Sequence, residues 1–278
     1  MTETPSSGFP EIPAVPTLWI FTSVLISALV TLTSLCGILI PGTYSREAPS
    51  WAIQSVGQDY ANLVVVVLFL VSTILVMRRS LRGYLVWLGA LLYFIYSFMI
   101  YTFAIHFQFL FPAYLAILGL SGFTLAGGLI AVDRDIPARV LRKNQHMKSA
   151  SLLLSAIAII FSGLWLSEII PNIISGTTPT TLVAMSLPVN PVQALDLAFL
   201  LPGMLVTAVL LWRDDAVGYL MAVPLLVFSV IMGLGIIVMM VLSALSRQPY
   251  SVPAIVIAGT IVILGTGVSF LCLRNGRI

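Results

Sequence analysis

QDYANLVVVVLFLVSTILVMRRSLRGY, residues 58–84, opens at an aspartate and runs uncharged from Ala61 to Met77. It then stops at Arg78 and Arg79, with Arg82 just beyond. An apolar run of that length spans a bilayer, whose core takes roughly 20 residues of helix. Arginines at one end only mark a side of the membrane. Working outward, comparable runs lie near 18–40, 84–105, 109–132, 150–170, 193–212, 217–244 and 253–272. With 60–77 this makes eight spans, and the expected class is all-α, a polytopic membrane helical bundle. Composition agrees: 59% of residues are hydrophobic and 8% are charged, against about 25% charged in a soluble domain.

Lys and Arg set the threading. With a cytoplasmic N-terminus, Arg78, Arg79, Arg82, Arg134, Arg139, Arg142, Lys143, Lys148, Arg213, Arg274 and Arg277 all fall inside, and only Arg46 and Arg247 outside. The expectation is a multi-pass protein of a prokaryotic plasma membrane with both termini cytoplasmic. Trp19, Trp87 and Trp212 would anchor the inner interface, and Trp51 would sit in an outer loop. The short segments 50–56 and 181–187, each after a proline, read as interfacial pieces within the outer loops. Cys36 and Cys272 fall at opposite ends of the bundle, beyond disulfide reach.

The chain also reads as a parallel duplication of four spans and four spans. Ile40-Pro41 answers Ile170-Pro171, Asp59 answers Asp196, and Gly83-Tyr84-Leu85 answers Gly218-Tyr219-Leu220, in the same order. The aspartate-to-glycine spacing is 24 residues in one half and 22 in the other. The divisions that follow are a cytoplasmic tail (1–17), a first repeat (18–132), a basic linker (133–149) and a second repeat (150–278).

A few polar residues carry whatever chemistry there is. Asp59 and Asp196 each open a span, where free N–H groups favour a carboxylate, so both read as caps. Asp196 lies deeper, beside Asn190 and Gln193, because its helix starts nearer Pro191. Glu168 has no acidic counterpart in the first half and stands in the last turn of the fifth helix, sharing a face with Trp165. Ionisable groups at membrane depth are functional suspects, although a solvated interfacial glutamate explains Glu168 equally well. Tyr93, Tyr96, Ser97 and Tyr101 fall within an arc of about 140° on the third helix. The matching positions of the seventh are Phe228, Ile231, Met232 and Ile236. The stripe is interhelical glue or the wall of a polar cavity. His106 follows in the outer turn.

Asp59, Tyr93, Tyr96, Tyr101, His106, Glu168, Asn190 and Asp196 therefore form the candidate pocket, outward-facing and mildly acidic. It suits a cation or a neutral polar solute. No P-loop, C-x-x-C, H-E-x-x-H or G-x-S-x-G motif is present. Both lysines lie in one inner loop, away from any intramembrane chemistry. No cofactor or metal is expected, and nothing points to nucleic acid. The partner is the lipid bilayer. Gly122 and Ala126, a small-xxx-small pair on the fourth helix, permit close helix approach within the chain or between protomers, and a protein partner or homo-oligomer is among the expected partners.

Gln58-Asp59 through Tyr114, and Asn190-Pro191-Val192-Gln193-Ala194-Leu195-Asp196 with Leu201-Pro202, resemble a group of uncharacterised prokaryotic multi-span integral membrane proteins. The resemblance covers most of the chain up to the seventh helix. It implies topology and carries no activity. Three readings of function stand: handling of a small solute or cation in the outer pocket, a membrane-embedded enzyme or sensor for a lipid-phase ligand, and a structural or assembly subunit without chemistry.

Overall fold

The computed structural model describes residues 11–274. Residues 1–10 of the expected tail and Arg277 of the expected inner set lie outside them. The described chain is helical, with eight helices long and apolar enough to cross a membrane. These are α1 (Thr17–Leu39), α2 (Pro49–Met77), α3 (Leu81–Ala104), α4 (Phe111–Ala131), α6 (Met147–Ser175), Pro191–Trp212, α10 (Ala216–Leu245) and α11 (Val252–Arg274). The sixth span is composite: α8 (Pro191–Leu195), a π-helical turn (Asp196–Leu200) and α9 (Leu201–Trp212). Two short helices complete the fold, α5 (Asp135–Leu141) and α7 (Thr180–Met185). The protein is an integral membrane protein, an all-α polytopic bundle.

Its spans are built for lipid rather than water. On α1 the hydroxyl residues Ser23, Ser27, Thr33 and Ser34 are buried, while Leu18, Phe21, Leu25, Leu32 and Leu35 are exposed. Lipid is as apolar as leucine, so association rewards small residues that let helices approach, not apolarity itself. Ser23, Ser27 and Thr33 bond back to their own helix, at Trp19 O, Ser23 O and Leu29 O.

Each half closes a ring of neighbours. α1 packs on α2, α2 on α3, α3 on α4 and α4 on α1; α6 packs on α9, α9 on α10, α10 on α11 and α11 on α6. The halves meet where α10 lies against both α2 and α3. Gly89 and Gly57 permit that approach, because a Cβ would fall 2.7 Å from Pro224 O and 2.8 Å from Met239 Cα.

The turn after α2 and the turn after α9 share one construction. Arg79 and Asp214 adopt the left-handed conformation at φ 57 and 60. The next residues, Ser80 and Asp215, donate backbone N–H to Leu75 O and Leu210 O, which is a Schellman closure. Their side chains then cap α3 and α10. Gly83 and Gly218 let the new helix touch the old one, at Leu75 and at Leu210 and Leu211.

Several expected boundaries shift. Segment 50–56 is no separate interfacial piece: α2 runs unbroken from Pro49, whose missing N–H suits the first helical position. Trp51 is consequently a buried helical residue, donating its indole N–H to Ala104 O at 2.9 Å. Trp87 is fully enclosed and donates to Ser23 Oγ, so it is core and not an interfacial anchor. The part of the tail near Ile12 is tied down, with Ile12 N–H donating to Arg79 O. The basic linker holds α5, which buries Ala138, Val140 and Leu141 against the bundle. α6 passes through Pro171 to Ser175, so Glu168 stands about two turns from the helix end rather than in its last turn. A Cβ added at Gly119 or Gly122 would meet nothing within 4 Å among the described residues.

Candidate functional site

Asp59 is buried, 2% exposed, and lies well inside α2 rather than at its start. Capping is therefore not its role. Tyr44 donates to Oδ2 at 2.7 Å and Tyr101 to Oδ1 at 2.9 Å. Gly37 of α1 makes the room: a Cβ there would collide with Oδ2. Burial first, then the neighbouring carboxylate, pushes the Tyr44 phenol well above its usual value, so it stays a donor. The carboxylate holds three segments together, α2, α3 and the loop carrying Tyr44.

One turn on, a neutral network joins α2 to α3. Tyr93 donates to Asn62 Oδ1 at 2.8 Å, and Gln58 Nε2 reaches both Tyr93 and Ser97. Asn62 Nδ2 is buried with no hydrogen-bond partner among the described residues. A small cavity of about 100 Å³ adjoins this network, bounded by Gln58, Ser97 and Tyr101 on one side and Met232 and Met239 on the other.

The main cavity lies in the second half, between α6, the composite span, α10 and α11, with α3 at its back. Its volume is about 310 Å³, at the lower end of the usual range for ligand sites. Tyr96, Glu168, Asn190 and Asp196 all line it. Asp196, 6% exposed, accepts from Tyr96 at 2.8 Å and from Trp165 Nε1 at 2.8 Å. Glu168 accepts from Thr181 at 2.6 Å and from Gln193. All four donors are neutral, and among the described residues no lysine or arginine lines the cavity. The remaining wall is mostly apolar, with Phe161, Met204, Phe228 and Ile261 among its members.

Asp196 reaches this position through the π-helical turn it opens. A π turn widens the helix by one residue and re-aims its side chains. Pro202 follows it and has no N–H to offer, so the regular α ladder is interrupted here in any case. Asn190, not Asp196, caps the span: its Oδ1 accepts from the N–H groups of Val192 and Gln193.

His106 is elsewhere. Its Nδ1 and backbone N–H both meet Glu47, at 2.9 and 2.8 Å, and nearby Arg46 donates to Phe107 O. These contacts latch the α1–α2 loop to the α3–α4 turn. The eight candidates thus occupy four places. Tyr96, Glu168, Asn190 and Asp196 share the main cavity, Asp59 and Tyr101 share the closed cluster, Tyr93 lies in the neutral network, and His106 is in the latch. The stripe on α3 divides accordingly: Tyr93 and Tyr101 join helices, and Tyr96 alone reaches the main cavity. Among the described residues no three metal-ligating side chains converge.

Trp165, Thr181 and Tyr44 complete these sites and stand outside the eight candidates. Trp165 carries a sequence signal, an indole donor on the same face as Glu168. Tyr44 and Thr181 sit outside the spans, where no periodicity points to a partner. Compared with known proteins, the chain matches no family model, no curated protein and no solved structure.

Proposed function

We propose that the protein binds and handles a small cationic or neutral solute in the cavity between its second four spans and α3. One observation carries the reading: two carboxylates, Glu168 and Asp196, line a single cavity that has no basic residue in its wall. An uncompensated acidic cavity disfavours anions and attracts cations or hydrogen-bond donors. We place the cavity toward the outside of a prokaryotic plasma membrane, with both termini cytoplasmic. The lopsided Lys and Arg distribution supports that orientation. The shared Schellman turns and the two rings of helices support a duplicated scaffold whose second copy acquired the cavity. The second reading, an enzyme or sensor for a lipid-phase ligand, draws on the apolar remainder of the wall.

The test is thermal unfolding of the full chain in nanodiscs, wild type against Glu168→Gln. It is run across pH and with Na⁺, K⁺, Ca²⁺, Zn²⁺ or ethylammonium. A ligand that binds only the folded state raises the midpoint by mass action. A response in the wild type that the variant loses supports the reading. Identical unfolding of both proteins under every condition removes it and turns attention to a protein partner.

A further inference from the structure

Resting on that solute-binding reading, we infer that the ligand is a single-chain amphiphile with a cationic or hydrogen-donating head, admitted from the bilayer between the outer halves of α6 and α11. The argument begins with the stripe Ile157, Phe161, Leu164, Trp165 and Glu168, the face of α6 that lines the cavity. Exposure rises from 7% at Ile157 to 45% at Leu164, and no α6 residue beyond Ala158 is fully buried. The turn before α6 is tied to the end of α11, where Asn144 Nδ2 donates to Cys272 O at 2.8 Å. Farther along, both helices line the cavity, and the entry lies between them.

The depth of that gap identifies the medium it opens to. Leu164 lies about 25 Å along α6 from Met147 at 1.5 Å per residue. The hydrocarbon core is about 30 Å thick. The gap therefore faces lipid tails. The end of the cavity beyond Glu168 is covered instead. α7 crosses it, holding Glu168 through Thr181 and α2 through the bond from Ser50 to Ala184 O, with Met185 facing the cavity.

Inside, the two carboxylates and their donors form one polar group, with Trp165 on Asp196 standing one turn from Glu168. Phe161, Met204 and Ile261 belong to the apolar remainder of the wall. That division matches a head and a tail. A volume of about 310 Å³ corresponds to about ten groups of water size, at ~30 Å³ each. This accommodates one short chain and excludes a two-chain lipid. Two carboxylates reject an anionic head.

The full chain in phosphatidylcholine nanodiscs is titrated with decylamine, ethylamine and decyl sulfate, reading the unfolding midpoint. Tryptophan quenching by 10-bromodecylamine is read in parallel. Decylamine is expected to raise the midpoint by several degrees where the other two do not. The brominated probe is expected to quench a component that disappears in Trp165→Phe. Asp196→Asn should weaken the response tenfold or more, and Leu164→Trp, at an exposed position that the fold tolerates, should block it. Equal responses to ethylamine and decylamine overturn the amphiphile while leaving the solute reading intact. A decylamine response unchanged in both Asp196→Asn and Leu164→Trp marks a bilayer effect and also overturns it. The absence of a response to either amine overturns the amphiphile, and the solute reading then rests on the metal-cation series alone.

Discussion

Asp59 of α2 and Asp196 of the composite span are both buried carboxylates gripped by two aromatic donors. Yet Asp59 is closed on every side, whereas Asp196 faces a cavity. Around Asp59 the space is filled by Tyr44, Tyr101 and the glycine face of α1. Around Asp196 the space stays open: no α6 residue beyond Ala158 is fully buried, and Asp196, which opens the π turn, lines the cavity. The same chemical group is thereby a clamp in one half and a cavity-facing group in the other. Burial and hydrogen bonding alone do not distinguish them; what lies on the remaining side does.

The largest expected effect is on Asp59. Asp59→Ala strands two buried hydroxyls, at about 1–3 kcal/mol each. Asp196→Ala, beside a cavity that can admit water, should cost about 1 kcal/mol and abolish ligand response instead. Chemical unfolding in nanodiscs separates the two. A reversed order would dissolve the comparison.

Gly37→Ala tests the closed side directly. Its Cβ would collide with the Asp59 carboxylate, and overpacking of this kind costs about 1–3 kcal/mol. Gly203→Ala, where nothing lies within 4 Å, is the control and should be neutral or stabilising by up to about 1 kcal/mol. Equal losses at both positions would show that helix flexibility, not the space beside Asp59, is being measured.

A third carboxylate sets the lower end of the scale. Asp214, exposed at the arginine-rich end, accepts from Tyr219 at 2.8 Å and from Arg142 Nε at 2.8 Å. The Tyr219 hydroxyl, helped by Arg142, holds its pKa below the usual carboxylate value. A depressed folded-state pKa contributes stability that is fully present above the unfolded value, about 3.9. It is lost as pH falls through the folded one. Asp214→Asn should therefore flatten the acid limb of the midpoint-versus-pH curve slightly and leave ligand response intact. The effect is small because the pair is solvent-screened.

Much of the scaffold can be read from residue types. The eight spans follow from long apolar runs, most of them closed by Arg or Lys at one end. The matching turns are visible as Gly83-Tyr84-Leu85 and Gly218-Tyr219-Leu220, since a glycine there is demanded by contact with the helix just completed. The start of α2 lies earlier than its residues suggest, because Gln54, Gln58 and Asp59 have the polarity of a loop. Gln58 and Asp59 are tolerated inside a helix because α3 and the Tyr44 loop supply their partners. Glu168 and Asp196 stand out as lone acids, but nothing in their spacing, on separate helices, announces Trp165 or Thr181 as donors.

The sequence by itself determined that this chain lives in a membrane, how many times it crosses, and which polar groups need a reason to be there. Those properties are local: transfer of a run of side chains into hydrocarbon depends on the run and not on its neighbours. Only the tertiary structure decided which of two similar aspartates is a clamp and which faces a cavity. That distinction depends on packing between helices distant in sequence and on a single π turn, which leave Asp196 beside a cavity and Asp59 enclosed.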